Sequence, residues 1–416
     1  MKQRLVNLGL TVGSIAIGLI LLELLVRPIY GIASPYDVIP ENSSEDIRYG
    51  VYDTRGFWTW KPKFQGWFDN GVDFEGNRVT TNPDGSRVVP CHKKRAGHLP
   101  RIFLLGDSQT FGWGLSNDQT WANQLQCEIE SKIPGAFEVV NLGFPGSQVD
   151  QIYARGIGQV EPVISEGDIV VISFTWNDLI TYYVGEQFAH RVLKDSGLRA
   201  VQDKGLNGLY VQPIEDEPGP GAKSRQGGLL ELQLSNPRKY LGEKSWRYRI
   251  YTDYGIFIPR FDSAMSFLNS MQHVSAVFRI AWLNARMLYY RLRPKGSLEK
   301  KIPDHAFPHN FLVLKALQTR LQRRGAKVFV QLLPSRVFFD DFYFSSYSAG
   351  GQAFPSQDYM GFVSKPFCDN LNLTCLNRFN ELKTSSRNQH TFPIDGHYNT
   401  AGAAKIAKAL YLDLFN

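Results

Sequence analysis

The sequence predicts an α/β fold, a doubly wound and flavodoxin-like, mainly parallel sheet of five strands with helices on both faces. Short apolar runs alternate with segments of helical periodicity before residue 180 and again after residue 310. The run Asp168–Phe174 is almost continuously apolar, which is typical of a parallel strand covered on both faces. A long insertion separates the two alternating regions, and an apolar segment begins the chain.

The individual elements follow from apolar periodicity and from residues that cap helices. The predicted strands are Ile102–Leu105, Phe137–Asn141, Asp168–Phe174, Lys327–Pro334 and Leu373–Leu376. The predicted helices are Asp118–Lys132, Gln148–Ile164, Phe311–Arg324, Asp358–Asn370 and Ala401–Leu412. Expected caps are a capping box at residues 116–119, Ser147 before the second helix and Thr400 before the last.

Residues 1–27 are predicted to be a cytoplasmic tail and a transmembrane anchor. The span Leu5–Val26 contains one ionisable residue, Glu23, and is long enough to cross a hydrocarbon core of about 30 Å. A cleaved signal peptide is the alternative, but the apolar run exceeds the usual core of about 7–15 residues. Basic residues precede the span and acidic residues follow it. The positive-inside rule therefore predicts a single pass of a bacterial inner membrane, with the bulk of the chain in the periplasm or extracytoplasmic space.

Two further regions lie outside the predicted sheet: a segment that precedes it and an insertion between its strands. Residues 28–100 are rich in turn residues and aromatics, so we expect short strands and loops that pack on the main domain. The main domain, residues 101–416, carries the insertion at about 179–310. Within it, residues 214–228 have the composition of a mobile loop, and residues 267–292 predict one amphipathic helix of about seven turns. That helix is interpreted either as a cap packed on the domain or as a membrane-surface helix or substrate lid.

Composition excludes several classes of protein. A hydrophobic content of 43% and a charged content of 20% are ordinary for a globular protein, and the net charge of +7 is scattered, without a nucleic-acid recognition signature. The four cysteines do not form a metal pattern. They are interpreted either as buried thiols or as disulfides, with Cys368–Cys375 as the first pair to test.

The chemistry is predicted from residues that follow strand ends. Ser108 is the candidate nucleophile, His397 the candidate base and Asp395 the residue that orients the imidazole. The oxyanion of an acyl-transfer intermediate needs preorganised donors, for which the backbone N–H groups of Ser108 and Gly146 and the side-chain amide of Asn177 are candidates. The carboxyl ends of parallel strands share one edge of a sheet, so one crevice can gather all five residues.

These motifs resemble the SGNH (GDSL-type) hydrolase family, in its membrane-anchored bacterial form. The resembling blocks are residues 106–108 (Gly-Asp-Ser), 141–146 (Asn-Leu-Gly-Phe-Pro-Gly), 175–178 (Thr-Trp-Asn-Asp) and 395–397 (Asp-Gly-His). Three features depart from the family pattern: Gln109 stands where many members have leucine, Thr175 replaces a glycine, and the last block is Asp-x-His instead of Asp-x-x-His. Relatives that O-acetylate bacterial exopolysaccharides such as alginate use a similar Asp-x-His.

The resemblance implies an extracytoplasmic serine esterase, or an O-acetyl hydrolase or transferase, that acts on acyl esters of carbohydrate. It implies no cofactor, and the oligomeric state stays open. One alternative is a non-catalytic protein of the same fold that assembles surface polysaccharide or binds glycans. Another is a lysophospholipase, suggested by the anchor and the basic amphipathic helix.

Overall fold

The computed structural model describes residues 2–30, 38–41, 50–52, 57–70, 73–93, 99–175, 178, 198–203, 208–213, 264–292, 306–338, 375–383, 389–393 and 395–416. The predicted helix Asp358–Asn370 and the predicted mobile loop 214–228 lie outside these residues.

Five parallel strands form the central sheet, as predicted. They are β6 (Arg101–Leu105), β7 (Glu138–Asn141), β8 (Ile169–Phe174), β11 (Lys327–Leu332) and β12 (Cys375–Asn377), in the spatial order β12-β11-β8-β6-β7. Each neighbouring pair is parallel, with Ile102 opposite Ile169 and Val330 opposite Cys375. The chain adds β7 on one side of β6 and then β8, β11 and β12 on the other side. The topological switch point therefore lies between β6 and β8, and the crevice of this α/β sheet is expected at the carboxyl ends of these two strands.

Helices cover both faces of the sheet, which confirms the doubly wound class. On one face, α4 (Val149–Arg155) and α7 (Ala306–Arg323) pack on Phe103 and Leu105. On the other, α3 (Trp121–Lys132) and α8 (Thr400–Phe415) pack on Ile102 and Leu104. Successive residues of β6 therefore point into two separate apolar layers, as the two-residue period of a strand requires.

The helix starts differ from the predicted ones. The predicted capping box at residues 116–119 is confirmed, but it begins a separate 3-10 turn, residues 117–119. Thr120 caps α3 by accepting a hydrogen bond from the Asn123 N–H. Ser147 does not cap α4, because its hydroxyl accepts from Arg155; α4 is also shorter than predicted and continues as a π-helical turn to Val160. The last helix is capped by Asn399, whose side chain accepts two backbone N–H groups, and not by Thr400.

The lead segment forms short antiparallel strands that pack on the main domain. They are β1 (Val38–Pro40), β2 (Gly50–Tyr52), β3 (Trp58–Trp60), β4 (Gln65–Phe68) and β5 (Asn77–Thr80). The ring of Trp60 stacks on Phe111 of the main domain with centroids 4.2 Å apart. The carbonyl of Trp58 accepts a hydrogen bond of 2.7 Å from Arg155. Apolar stacking and a buried cation thus join the two parts.

Arg87 of the lead segment lies under the short helix α2 (Ser108–Phe111) and is only 1% exposed. Its guanidinium donates to the carbonyls of Phe111 at 2.8 Å, Gly112 at 2.7 Å and Leu115. The last carbonyls of a helix lack partners within the helix, so a buried cation here satisfies them and the C-terminal end of α2 is held in place.

One disulfide was not expected, and a second includes Cys375, a member of the expected pair. Cys91 and Cys127 are bonded, with Cα atoms 5.2 Å apart, and connect the end of the lead segment to α3. This pair was not predicted. Cys375 is also disulfide-bonded. Its expected partner, Cys368, lies outside the described residues.

The chain begins with helix α1 (Lys2–Tyr30), in which Gly9–Ile29 is predominantly apolar and long enough to cross a membrane or to act as a signal sequence.

In the insertion, β9 (Leu198–Asp203) pairs with β10 (Gly208–Pro213) in a hairpin. The single predicted helix 267–292 is wrong: two helices, α5 (Ala264–Met271) and α6 (Ala276–Leu292), are separated by residues 272–275. A new cap at Ser275, which accepts from the Phe278 N–H, explains the break.

Candidate active site

The candidate nucleophile lies at the first turn after β6. Asp107 caps α2 by accepting the Gln109 N–H at 2.9 Å, which places Ser108 at the first helical position. Ser108 is partly exposed, whereas both of its neighbours are buried. Gly106 is required before it, because a Cβ there would lie 2.6 Å from the Ser173 carbonyl of the adjacent strand. The sharp turn therefore presents one hydroxyl at the sheet edge.

The structure brings Ser108, His397 and Asp395 together. The Nε2 atom of His397 lies 2.7 Å from Ser108 Oγ, and its Nδ1 is hydrogen-bonded to Asp395 Oδ1. With the Nδ1 proton directed to this carboxylate, Nε2 accepts the proton of the serine hydroxyl. The His397 side chain keeps 23% of its surface exposed, so a substrate can approach the pair.

Several polar contacts position the loop that carries the base. Arg336, buried after β11, donates to the carbonyls of Phe392 and Pro393. The Phe392 N–H donates to the His397 carbonyl at 2.8 Å. Asp73 of the lead segment accepts the Asp395 N–H. Neither Arg336 nor Asp73 is marked by the motifs, since both act through contacts distant in sequence.

Gln109 connects the turn that carries the nucleophile to the loop that carries the base. Its side-chain Oε1 accepts the Tyr398 N–H at 3.0 Å, and its carbonyl accepts from the Trp121 indole at 3.0 Å. The residue after Ser108 is therefore bonded to the residue after His397. The polar side chain at a family position often held by leucine was a signal that sequence reasoning did not use.

Replacing Gln109 with leucine is expected to lower kcat about tenfold to a hundredfold, because a small misplacement of reacting groups has effects of this size. The buried Tyr398 N–H would lose its acceptor, at a cost of about 1–3 kcal/mol. Steady-state kinetics well below the unfolding temperature should show the loss in kcat with little change in KM. Gln124→Leu, which removes a glutamine bonded to the Gln119 carbonyl, is the matched control. A lower melting temperature with unchanged kcat would limit Gln109 to a stabilising role.

Two buried carboxyl groups lie beneath the candidate nucleophile. The Thr175 hydroxyl is 3.4 Å from Oδ2 of Asp107 and 3.4 Å from Oδ2 of Asp178. Burial raises the pKa of Asp178 well above its ordinary value, and the nearby Asp107 carboxylate raises it further. Burial also raises the pKa of Asp107, an effect that His397 partly offsets. Thr175, at a position the family usually gives to glycine, thus bridges two carboxyl groups.

We expect the stability of the protein to fall as pH rises through the raised pKa of Asp178. The folded state binds a proton there that the unfolded state has already released, so each pH unit in this window costs up to about 1.4 kcal/mol. Asp178→Asn mimics the protonated acid and should flatten this slope and increase stability at pH 8. Urea unfolding at pH 5 and pH 8 measures both effects. Equal slopes for the two proteins would contradict the prediction.

The structure also describes one of the two further candidate oxyanion donors. Gly146 follows β7 with φ +74°, is exposed, and has no atom within 4 Å of the position that a Cβ would take. Its loop is tied to the nucleophile turn, because the Phe144 N–H donates to the Gly106 carbonyl at 3.0 Å. Asn177 lies outside the described residues, although Asp178 beside it is described. His390, the other histidine near this end of the chain, is buried and bonds the Leu382 carbonyl through Nδ1.

Part of the chain matches a known protein family. The model of the GDSL-like lipase/acylhydrolase family matches residues 104–227. No curated protein sequence matches the chain.

Three solved structures are similar to the chain at low TM-scores. A member of the lipolytic protein G-D-S-L family from Veillonella parvula is 10% identical, with 76% of this chain and 97% of that chain covered and a TM-score of 0.31. The psychrotrophic esterase EstA from Pseudoalteromonas sp. is 10% identical, with 76% and 96% covered and a TM-score of 0.31. A catalytic mutant of an acetylxylan esterase from Geobacillus stearothermophilus is 11% identical, with 78% and 97% covered and a TM-score of 0.32.

Proposed function

We propose that this chain, whose residues 104–227 belong to the GDSL-like lipase/acylhydrolase family, is a membrane-anchored extracytoplasmic serine esterase or O-acetyltransferase acting on acyl esters of carbohydrate. The observation that carries the proposal is the hydrogen bond of 2.7 Å between Ser108 Oγ and His397 Nε2. Asp395 on the other ring nitrogen completes the arrangement that activates a serine.

The first half-reaction forms an acyl-enzyme. Ser108 Oγ attacks the carbonyl carbon of the ester, and its proton passes to His397 Nε2. Asp395 stabilises the imidazolium that results. When the tetrahedral intermediate collapses, the carbon–oxygen bond to the alcohol breaks, and the alcohol leaves with the proton from His397.

The second half-reaction decides between hydrolysis and transfer. Water or a sugar hydroxyl gives its proton to His397 and attacks the acyl carbon, and Ser108 leaves with that proton restored. Water yields the free acid, whereas a sugar hydroxyl yields a new ester. The same three side chains serve both outcomes.

The oxyanion is stabilised by donors around Ser108. The Ser108 N–H lies at the first position of α2, where a helix provides no acceptor for it. The Gly146 N–H and the Asn177 amide are the further donors, and removal of one such donor typically costs about 3–4 kcal/mol of transition-state stabilisation. The tie between Phe144 and Gly106 supports the placement of Gly146 near Ser108.

Location and substrate class rest on different observations. The apolar helix Gly9–Ile29 supports an anchor, and its preceding basic residues favour an extracytoplasmic orientation. The Cys91–Cys127 disulfide supports an oxidising compartment. Carbohydrate esters fit a protein that faces the cell surface, and the Asp-x-His block resembles that of exopolysaccharide O-acetylating relatives.

The test is the product formed by full-length protein from an acetyl ester, with and without an acetylatable polysaccharide. Free acetate alone indicates an esterase, and acetyl groups on the polysaccharide indicate a transferase. A fluorophosphonate adduct at Ser108, located by mass spectrometry, would identify the nucleophile. Absence of both turnover and adduct in folded protein would leave the non-catalytic, glycan-binding alternative. Fatty acid release from lysolipid well above acetyl ester cleavage would favour the lysophospholipase.

A further inference from the structure

The starting observation is a contact between the apolar N-terminal helix and the insertion. Glu23 is the single ionisable residue of Leu5–Val26. Its carboxylate accepts hydrogen bonds from the Ser275 hydroxyl at 2.7 Å, the Ala276 N–H at 2.9 Å and the Val277 N–H at 3.1 Å. A carboxylate at the N-terminus of a helix is favoured by its free N–H groups and its dipole. Glu23 therefore fixes the start of α6 against α1.

This contact sets the depth of the insertion in a bilayer. Glu23 precedes Val26, the last residue of the apolar run before Arg27, by three residues. At a rise of 1.5 Å per residue, Glu23 lies about 4–5 Å inside the outer end of this run, and Arg27, which lies 3.8 Å from the Glu23 carboxylate, marks that end. Because residues 275–277 are bonded to Glu23, they lie at the same depth, at the boundary between headgroups and acyl chains.

The composition of the contacting segment fits these surroundings. Residues 264–278 contain no Asp, Glu, Lys or Arg, whereas Arg260 and Asp262 precede the segment and Arg279 follows it. Its apolar side chains include Val274, which is 39% exposed. A segment without ionised side chains avoids the cost of placing a charge beside acyl chains.

We infer that residues 264–278 form a second membrane contact, in which α5 and the first turn of α6 insert into the outer leaflet of the bilayer that α1 spans. The inference rests on the proposed membrane anchor. The partner is the acyl-chain region of the lipid. Glu23 acts as the intramembrane bond that holds the insertion at this depth, which accounts for a carboxylate within an otherwise apolar span.

The test uses full-length protein in lipid vesicles with a polarity-sensitive fluorophore on a single introduced cysteine. The described native cysteines are disulfide-bonded, so the introduced thiol is the one that reacts. Val274→Cys reports on the segment. Leu19→Cys, in the middle of α1, is the control for the anchor, and the exposed Glu166→Cys is the control for water.

The inference predicts that the label at 274 is quenched by acyl-chain nitroxide lipids and at least about threefold less by iodide than the label at 166. Iodide quenching at 274 equal to that at 166, with lipid quenching at 19 retained, would overturn the second contact and leave the anchor intact. Absence of lipid quenching at 19 would overturn the anchor and this inference with it. Ester turnover by the same variants reports on the catalytic proposal separately.

A second pair of variants tests Glu23. In the Val274→Cys background, Glu23→Ala removes the acceptors for α6 and is expected to increase iodide quenching at 274 at least about twofold. Glu23→Gln keeps one acceptor oxygen and should retain most of the protection. Unchanged quenching in Glu23→Ala would show that Glu23 does not set the depth of the segment.

Discussion

Ser108→Ala is expected to lower kcat for ester cleavage by about 10⁴ to 10⁶-fold, the effect seen when a serine nucleophile is removed from a triad. The reason is specific to the geometry: the hydroxyl that lies 2.7 Å from His397 Nε2 is the group that forms the acyl-enzyme. KM should change little, because the hydroxyl contributes mainly to the chemical step. Stopped-flow or steady-state assays with a chromogenic acetyl ester measure the loss.

The matched control is Ser165→Ala, which removes an exposed serine in the turn before β8. It should retain wild-type kcat. Circular dichroism should show that both variants are folded. If Ser108→Ala kept more than about a tenth of the activity, another residue would be the nucleophile and the proposed mechanism would fail.

Asp395→Asn is expected to lower kcat by about 10⁴-fold while the protein stays folded. The carboxylate accepts the Nδ1 proton of His397. An amide NH₂ at this position would direct the proton to Nε2 instead, and Nε2 could then no longer accept the proton of Ser108. The prediction therefore concerns the tautomer of the base and not the size of the side chain.

Kinetics of Asp395→Asn and of Asp413→Asn separate this effect from a general loss of charge. Asp413 lies on the last helix and pairs with Arg378, away from the triad, so its replacement should leave kcat within about twofold of wild type. Activity of Asp395→Asn close to that of the wild type would mean that a group other than Asp395 orients the imidazole.

The sheet could be predicted from the sequence because buried parallel strands are almost continuously apolar. Each predicted strand differs from the observed one by one to a few residues, as at Ile102–Leu105 against Arg101–Leu105. The grouping of Ser108, Asp395 and His397 followed from the position of each after a strand or before the last helix. Short-range sequence patterns carry this information.

Other features depend on contacts between residues distant in the chain. Gln109 bonds to Tyr398, and Glu23 bonds to the start of α6, which breaks a continuous helical pattern at Ser275. The Cys91–Cys127 disulfide has a sequence separation of 36, and spacing alone does not determine such pairings. The last helix is capped by Asn399, one residue before the predicted Thr400, and the expected cap of α4, Ser147, is bonded instead to Arg155.

Arg87 has a consequence for the order in which the protein assembles. The helix that carries the nucleophile contains one turn, too short to persist on its own in water. Its terminal carbonyls are satisfied by a guanidinium supplied from upstream. The reactive hydroxyl therefore reaches its position only after the N-terminal β-segment has docked, and catalytic competence and that docking should emerge together during refolding.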